Sequence, residues 1–241
     1  MPHVTKIFLR VILNRIKTRI NLEVGDEQFG FRGTREGIFC FNILAQKHLE
    51  INKDMYVCFI DYAKAFDRVK HLQLIECLNK IGVDGKDIRI ISNLYWQQKA
   101  AIRVEEDLSG YTSIQRGVRQ GCILSPLLFN LYTEIIFRDF KDLPGITIGG
   151  RLINNLRYAD DTALIADTNQ NLQQLMDAAR NGSENMGLSM NVKKTKTMVV
   201  SREDNCRRAD ILVNNETLEQ ITSFTYLGQA ITPDARNETE I

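Results

Sequence analysis

Residues 153 to 166 read Ile153-Asn154-Asn155-Leu156-Arg157-Tyr158-Ala159-Asp160-Asp161-Thr162-Ala163-Leu164-Ile165-Ala166. Ile153 to Tyr158 and Thr162 to Ala166 have the make-up of two strands, and Tyr158-Ala159-Asp160-Asp161 carries the turn between them. A hairpin built this way presents two adjacent carboxylates at its tip. Such neighbours repel until a cation or water relieves them. Aspartate is also an ordinary turn residue, so the tetrapeptide alone fits a solvated turn as well as a metal site.

About a hundred residues earlier, Met55-Tyr56-Val57-Cys58-Phe59-Ile60 is a continuous apolar run, as expected of a strand buried on both faces, and Asp61 follows it. On its own Asp61 fits a cap on the next helix. Brought beside Asp160 and Asp161, it completes an oxygen-rich, histidine-free cluster, a ligand set that favours Mg2+ or Mn2+ over zinc. Two such ions about 4 Å apart are the clamp used for in-line phosphoryl displacement.

Composition narrows the class. A chain of 241 residues holds one large domain or two small ones, and 44% hydrophobic with 25% charged residues is ordinary for a globular protein. The net charge of +1 points to no partner, but Met1 to Leu22 holds Lys6, Arg10, Arg15, Lys17 and Arg19 and no acid. That block fits a solvated helix face or the start of a phosphate-facing surface. The five cysteines are scattered without a C-x-x-C pair, which disfavours zinc fingers and disulfide frameworks and fits a reducing intracellular setting, cytoplasm or nucleus. No apolar run approaches the ~18 residues of a membrane span, so no membrane partner is expected.

The remaining segments supply a helical frame. Val4, Phe8, Val11, Ile12, Ile16 and Ile20 mark one face of a helix over 4–22. Gln28-Phe29-Gly30-Phe31-Arg32-Gly33-Thr34-Arg35 reads as a loop, with arginines and aromatics interleaved as suits nucleic-acid backbone and bases, or equally with its phenylalanines tucked into the core. A helix over 36–52 should bury Phe39, Ile43 and Leu44. Leu74, Leu78 and Ile81 mark a helix ended by Gly82, and Ile88, Ile91 and Tyr95 another over 86–98. Residues 100–104 and 111–115 alternate like paired strands. Ser125-Pro126, after the glycine-bracketed loop from Gly117 to Gly121, starts a helix over 127–141, with Ser125 as its cap. Leu172, Leu175, Met176 and Ala179 mark a further helix. A lysine-rich junction then leads into a strand ending at Val200, and 211–213 and 222–228 read as a small terminal sheet.

Assembled, these segments resemble a known family. Phe59-Ile60-Asp61-Tyr62-Ala63-Lys64-Ala65-Phe66-Asp67 is similar to the first palm motif of reverse transcriptases, Gly117 through Asn130 to the second, and Tyr158-Ala159-Asp160-Asp161 to the third. Gly187-Leu188 with Asn191 through Lys196 resembles the fourth, Tyr226-Leu227-Gly228 the fifth, and Gln28-Phe29-Gly30-Phe31-Arg32 a fingers motif of the non-LTR (LINE-like) branch. The motifs run in order from Gln28 to Gly228.

The resemblance implies an α+β palm-type polymerase core, an antiparallel sheet backed by helices. Partial fingers would occupy 1–54, the palm 55–200 and a primer-grip region 201–241, without a thumb. It implies RNA-directed DNA synthesis on an RNA template, from a DNA primer and dNTPs, with Mg2+ or Mn2+ held by Asp61, Asp160 and Asp161. Tyr62, Phe66, Gln120 and Gly121 would line the nucleotide, with Phe66 rejecting a ribose 2′-OH. Lys194 or Lys196 would serve the pyrophosphate. Phe31, Arg32, Arg35, Arg119, Tyr158 and the grip Tyr226-Leu227-Gly228 would meet nucleic acid. Asp67 reads as structural, a cap on the helix after it. An upstream Arg-Pro-Ile-like segment, a thumb, an endonuclease and Cys/His knuckles are missing from the pattern, and Gly33-Thr34-Arg35 replaces a longer glycine-rich stretch. A fragment of a larger polyprotein is therefore expected. A group II intron-type maturase and a remnant that binds nucleic acid without catalysis are the other readings. The residues carry no signal of oligomeric state.

Overall fold

Met55–Ile60 forms β1, the central strand of a five-stranded sheet. The computed structural model describes residues 3–31, 33–95, 98–105, 107–119, 121–202 and 207–235. It divides into two units, one of Met1–Gly25 with Lys64–Glu134, the other of Asp26–Ala63 with Ile135–Ile241.

The sheet lies in the second unit. With β2 (Asn155–Tyr158), β3 (Asp161–Ala166), β4 (Lys196–Val200) and β5 (Glu219–Gln220), its order is β5-β4-β1-β3-β2. Every pairing is antiparallel except β4 with β5. Side chains alternate across a strand, so Met55, Val57 and Phe59 share a face with Ala163, Ile165, Met198 and Val200. There they form one core with Phe41, Leu44 and Ala45 of a helix over Thr34–Glu50. Each fully buried large side chain of this kind contributes about 1.5–3 kcal/mol. On β1 and β3 also packs a helix over Asn169–Asn185, burying Leu172, Leu175, Met176 and Ala179. Thr168 caps it, its hydroxyl accepting from the Asn171 N–H at 3.1 Å.

In the first unit, helices run over His3–Glu23, Ala65–Arg68, His71–Lys80 and Gly85–Tyr95. The helix over Ser125–Phe137 begins here, and the boundary between units falls within it. Two short ribbons, Lys99–Ala100 with Thr112–Ser113 and Arg103–Val104 with Asp107–Leu108, replace the longer strand pair expected over 100–115. Their side chains are exposed, so no buried face extends them.

Several expectations need correction. The first helix buries Leu9, Ile12, Ile16 and Ile20, whereas Val4, Phe8 and Val11 are 78%, 45% and 53% exposed. Its sequence carries two apolar stripes at helical spacing, and periodicity cannot choose between them. Phe39 is exposed, and Phe41 takes the core position. Ser125 lies inside its helix, as the first residue, rather than before it. Its hydroxyl donates to the Arg119 carbonyl at 2.6 Å, tying the preceding loop together. Asp67 sits inside a one-turn helix, and Lys70 precedes the next helix with no side-chain cap. Ile153 ends a separate ribbon, Ile146–Ile148 with Arg151–Ile153. Asn154 separates that ribbon from β2, its amide donating to the Phe140 and Leu143 carbonyls at 2.6 and 3.3 Å. The terminal sheet is instead two ribbons, Leu212–Val213 with Glu216–Thr217 and Phe224–Tyr226 with Gln229–Ile231, while β5 joins the main sheet. Among the described residues, no helix is long and apolar enough to cross a membrane.

Candidate active site

β2 and β3 pair to their ends, Tyr158 opposite Asp161, which leaves Ala159 and Asp160 as a two-residue loop. Such loops need positive φ, and Ala159 has φ 56°. Its N–H donates to the amide oxygen of Gln28 at 2.9 Å. Tyr158 lies with its ring 5.9 Å from that of Phe31, and Phe31 is itself exposed with φ 59°.

The register brings the acids together. Ile60 pairs with Thr162, so one step further Asp61 stands across from Asp161. Both then lie on the face that carries Phe59 and Ala163. Asp61 is fixed through its backbone: its N–H donates to the buried Thr195 hydroxyl at 3.2 Å, and its carbonyl accepts from the Asn191 N–H at 2.8 Å. Asp161 is pushed up to about 6, first by lost hydration and then by the charges of Asp160 and Asp61. Asp160 is also raised, chiefly by burial, with its own N–H opposing and Asp61 adding to the rise.

Ionising Asp160 and Asp161 here carries a cost. A carboxylate raised in the folded state binds more protons there, so stability falls as pH climbs from the ordinary value near ~3.9 toward 6. Asp161→Asn is therefore expected to raise Tm at pH 7.5 in EDTA, and to have no such effect at pH 4. Solvent screening at this exposed side chain holds the gain to about 1 kcal/mol, a few degrees. Matching pH–Tm curves for the two proteins would rule this out.

Among the described residues, no three His, Cys, Asp or Glu side chains form a group able to hold a metal by themselves. The donor set still fits Mg2+, which is bound through one or two carboxylates completed by substrate phosphates rather than by an all-protein cage. A cavity of about 290 Å3 lies beside the acids, lined by Asp61 and Asp161, by Lys193, Lys194 and Lys196, and by Phe224 and Tyr226. The lysines differ. The Lys196 ammonium donates to the Lys193 carbonyl and to Glu219, each at 2.6 Å, whereas the exposed Lys194, among the described residues, bonds through its backbone N–H on the Asn191 carbonyl.

Sequence comparison settles what this arrangement belongs to. The family model for reverse transcriptase (RNA-dependent DNA polymerase) matches residues 1–231. The chain belongs to the reverse transcriptase family. It is similar to the Pol polyprotein of retrotransposable element R2 from Nasonia vitripennis, 28% identical over 92% of this chain and 22% of that protein. It is similar as well to the RNA-directed DNA polymerase of mobile element jockey from Drosophila funebris, 27% identical over 95% of this chain and 26% of that protein. These relatives are non-LTR retrotransposon proteins, and the chain spans about a quarter of their length. In fold it matches apo telomerase from Candida tropicalis truncated from its C-terminal domain, with TM-score 0.66 and 17% identity over 93% of this chain and 44% of that one.

The other residues expected of a reverse transcriptase site fall in varied places. Tyr62 is buried. Ser183 spends its own proton on the Ala179 carbonyl, so the Tyr62 hydroxyl, 2.8 Å away, donates to Ser183. Burial pushes that phenol up to about 12, and the ring serves packing under the site. Tyr226 is likewise in the core, its hydroxyl donating to the Leu156 carbonyl at 3.3 Å. Leu227 and Gly228, with φ 51° and 86°, make the turn of its hairpin. Arg35 is exposed in the first turn of its helix. In the first unit, the half-buried Phe66 stacks on Phe129 at 4.2 Å and 12°, and Arg119 and Gly121 (φ 73°) are exposed. Arg32 and Gln120 lie outside the described residues. Two residues went unassigned in the sequence: Lys193, whose signal was the lysine cluster itself, and Gln28, a buried polar residue opening a motif.

Proposed function

We propose that this chain is the polymerase core of a non-LTR retrotransposon reverse transcriptase, joining a dNTP to a primer 3′-OH on an RNA template. The observation that carries the reading is Asp61 at the end of β1, in register with the acidic tip of β2 and β3. In this reading 1–54 are partial fingers, 55–200 the palm and 201–241 the primer-grip region.

Asp61, Asp160 and Asp161 would hold divalent ions by their carboxylates, with substrate phosphates completing the coordination. Bound there, Mg2+ supplies Lewis acidity to the primer hydroxyl and to the leaving pyrophosphate. The repulsion among the three acids makes the site avid for cations. Phe66, five residues after Asp61, screens the sugar, and Gln120 and Gly121 border the nucleotide. The grip at 226–228 steadies the primer end, largely through the backbone of its turn, because the Tyr226 ring is occupied in the core. Phe31, Arg32, Arg35, Arg119 and Tyr158 meet the nucleic acid.

Lys194 is the group we assign to the pyrophosphate, since the Lys196 ammonium is committed to Glu219 and the Lys193 carbonyl. Lys194→Ala is expected to lower kcat about 100-fold or more, the range of general-acid contributions. Lys196→Ala should lose mainly the tie to Glu219, worth at most about 1 kcal/mol at an exposed pair. Single-turnover rates for the two variants check this, and a larger loss for Lys196→Ala reverses the assignment. The reading as a whole is tested by primer extension with the 241-residue chain on an RNA template, with Mg2+ and with Mn2+. Template binding without extension in either ion would leave only a binding role.

A further inference from the structure

Gln28 is fully buried in the middle of a loop, 0% exposed. Its amide oxygen takes two backbone N–H groups, from Gly30 at 2.8 Å and from Ala159 at 2.9 Å. Only the oxygen end of the amide accepts, so these two donors fix which way the group points. The residues around it are locked to the hairpin as well. The Phe29 N–H donates to the Arg157 carbonyl at 2.7 Å, and the Arg157 N–H to the Glu27 carbonyl at 2.8 Å.

Resting on the polymerase reading above, we propose that Gln28 is a positioning residue for the acidic tip. Ala159 stands immediately before Asp160, 4% exposed, in a left-handed conformation that an L side chain disfavours. As a loop residue it has no cross-strand partner in the β2–β3 ladder, yet a buried N–H requires an acceptor. Gln28 supplies it. The Gly30 bond curls the loop around the same oxygen and holds the acceptor still. The direction of the Asp160 and Asp161 carboxylates relative to Asp61 is thus set by a side chain more than a hundred residues away in the chain. Gln28 touches neither metal nor substrate in this role; it acts through Ala159.

Gln28→Met keeps the volume and removes the acceptor. Residue-resolved amide exchange is expected to quicken about 100-fold at Ala159 and Gly30, while Phe29 and Arg157, bonded backbone to backbone, stay protected. In primer extension, kcat should fall about 10- to 100-fold, the scale of an ångström misplacement of a reacting group. KM for primer–template should stay within about twofold, and the Mg2+ needed for half-maximal rate should rise. Adding Ala159→Gly to Gln28→Met should recover a good part of kcat, because glycine takes the positive φ freely. Unchanged exchange at Ala159 overturns the proposal. So does a uniform loss of protection across β1 to β4, which makes Gln28 a core residue only, or a defect confined to KM. Should the unmutated chain extend no primer, the polymerase reading fails, and the exchange measurement still decides the role of Gln28.

Discussion

Asp160→Asn is expected to reduce Mg2+-dependent primer extension at least about a thousandfold while leaving the chain folded. The side chain keeps its size, and the turn is held by Gln28 through the neighbouring Ala159 N–H rather than by the carboxylate. What disappears is one formal charge from a cluster in which burial, and then neighbouring carboxylates, already raise Asp160 and Asp161. Losing a metal contact that stabilises several kcal/mol of developing charge gives that scale, since each 1.36 kcal/mol is tenfold in rate. The same change relieves repulsion with Asp61, so the metal-free protein should be at least as stable as the parent. Loss of activity with equal or higher Tm separates a site residue from a structural one. Extension at the parental rate would falsify the assignment of the acids.

The second large effect concerns the sugar. Phe66→Ala is expected to raise incorporation of a ribonucleotide relative to the matching deoxynucleotide about 10- to 200-fold, the 1–3 kcal/mol that shape exclusion in a pocket commands. Parallel stacking on the fully buried Phe129 holds the Phe66 ring in one orientation. A wall enforces exclusion only when it cannot swing aside, so Phe129→Leu should give a smaller change in the same direction. The measurement is single-nucleotide incorporation of CTP against dCTP opposite a template guanine, on protein shown to melt cooperatively. An unchanged ratio removes Phe66 from the role of gate.

Some of this was legible in the residues alone. The apolar run of β1 needed no tertiary information, because a strand buried on both faces has only one composition. The hairpin of β2 and β3 was local, set by turn chemistry between two strand-like runs. Helical segments failed in the details of which face is buried. The first helix offers Val4-Phe8-Val11 and Leu9-Ile12-Ile16-Ile20, and only packing selects the second. The hydroxyl of Ser125 had a local cap as its expected partner and found the Arg119 carbonyl instead. The resemblance implies that Tyr62 lines the nucleotide and Tyr226 meets nucleic acid; in the fold each phenol has a buried partner, in Ser183 and in the Leu156 carbonyl.

By itself, then, the sequence determined the buried strand over 55–60 and the acidic hairpin, because these depend on local composition and turn preference, while the α+β class and the order of motifs followed from its resemblance to reverse transcriptases. Tertiary structure alone decided the register that sets Asp61 across from Asp161, the capture of Lys196 by Glu219 that leaves Lys194 toward the cavity, and the bond from Gln28 to the tip. Each of those joins residues far apart in the chain. Nothing in a local pattern encodes such a pairing; it exists only once the strands have found their partners.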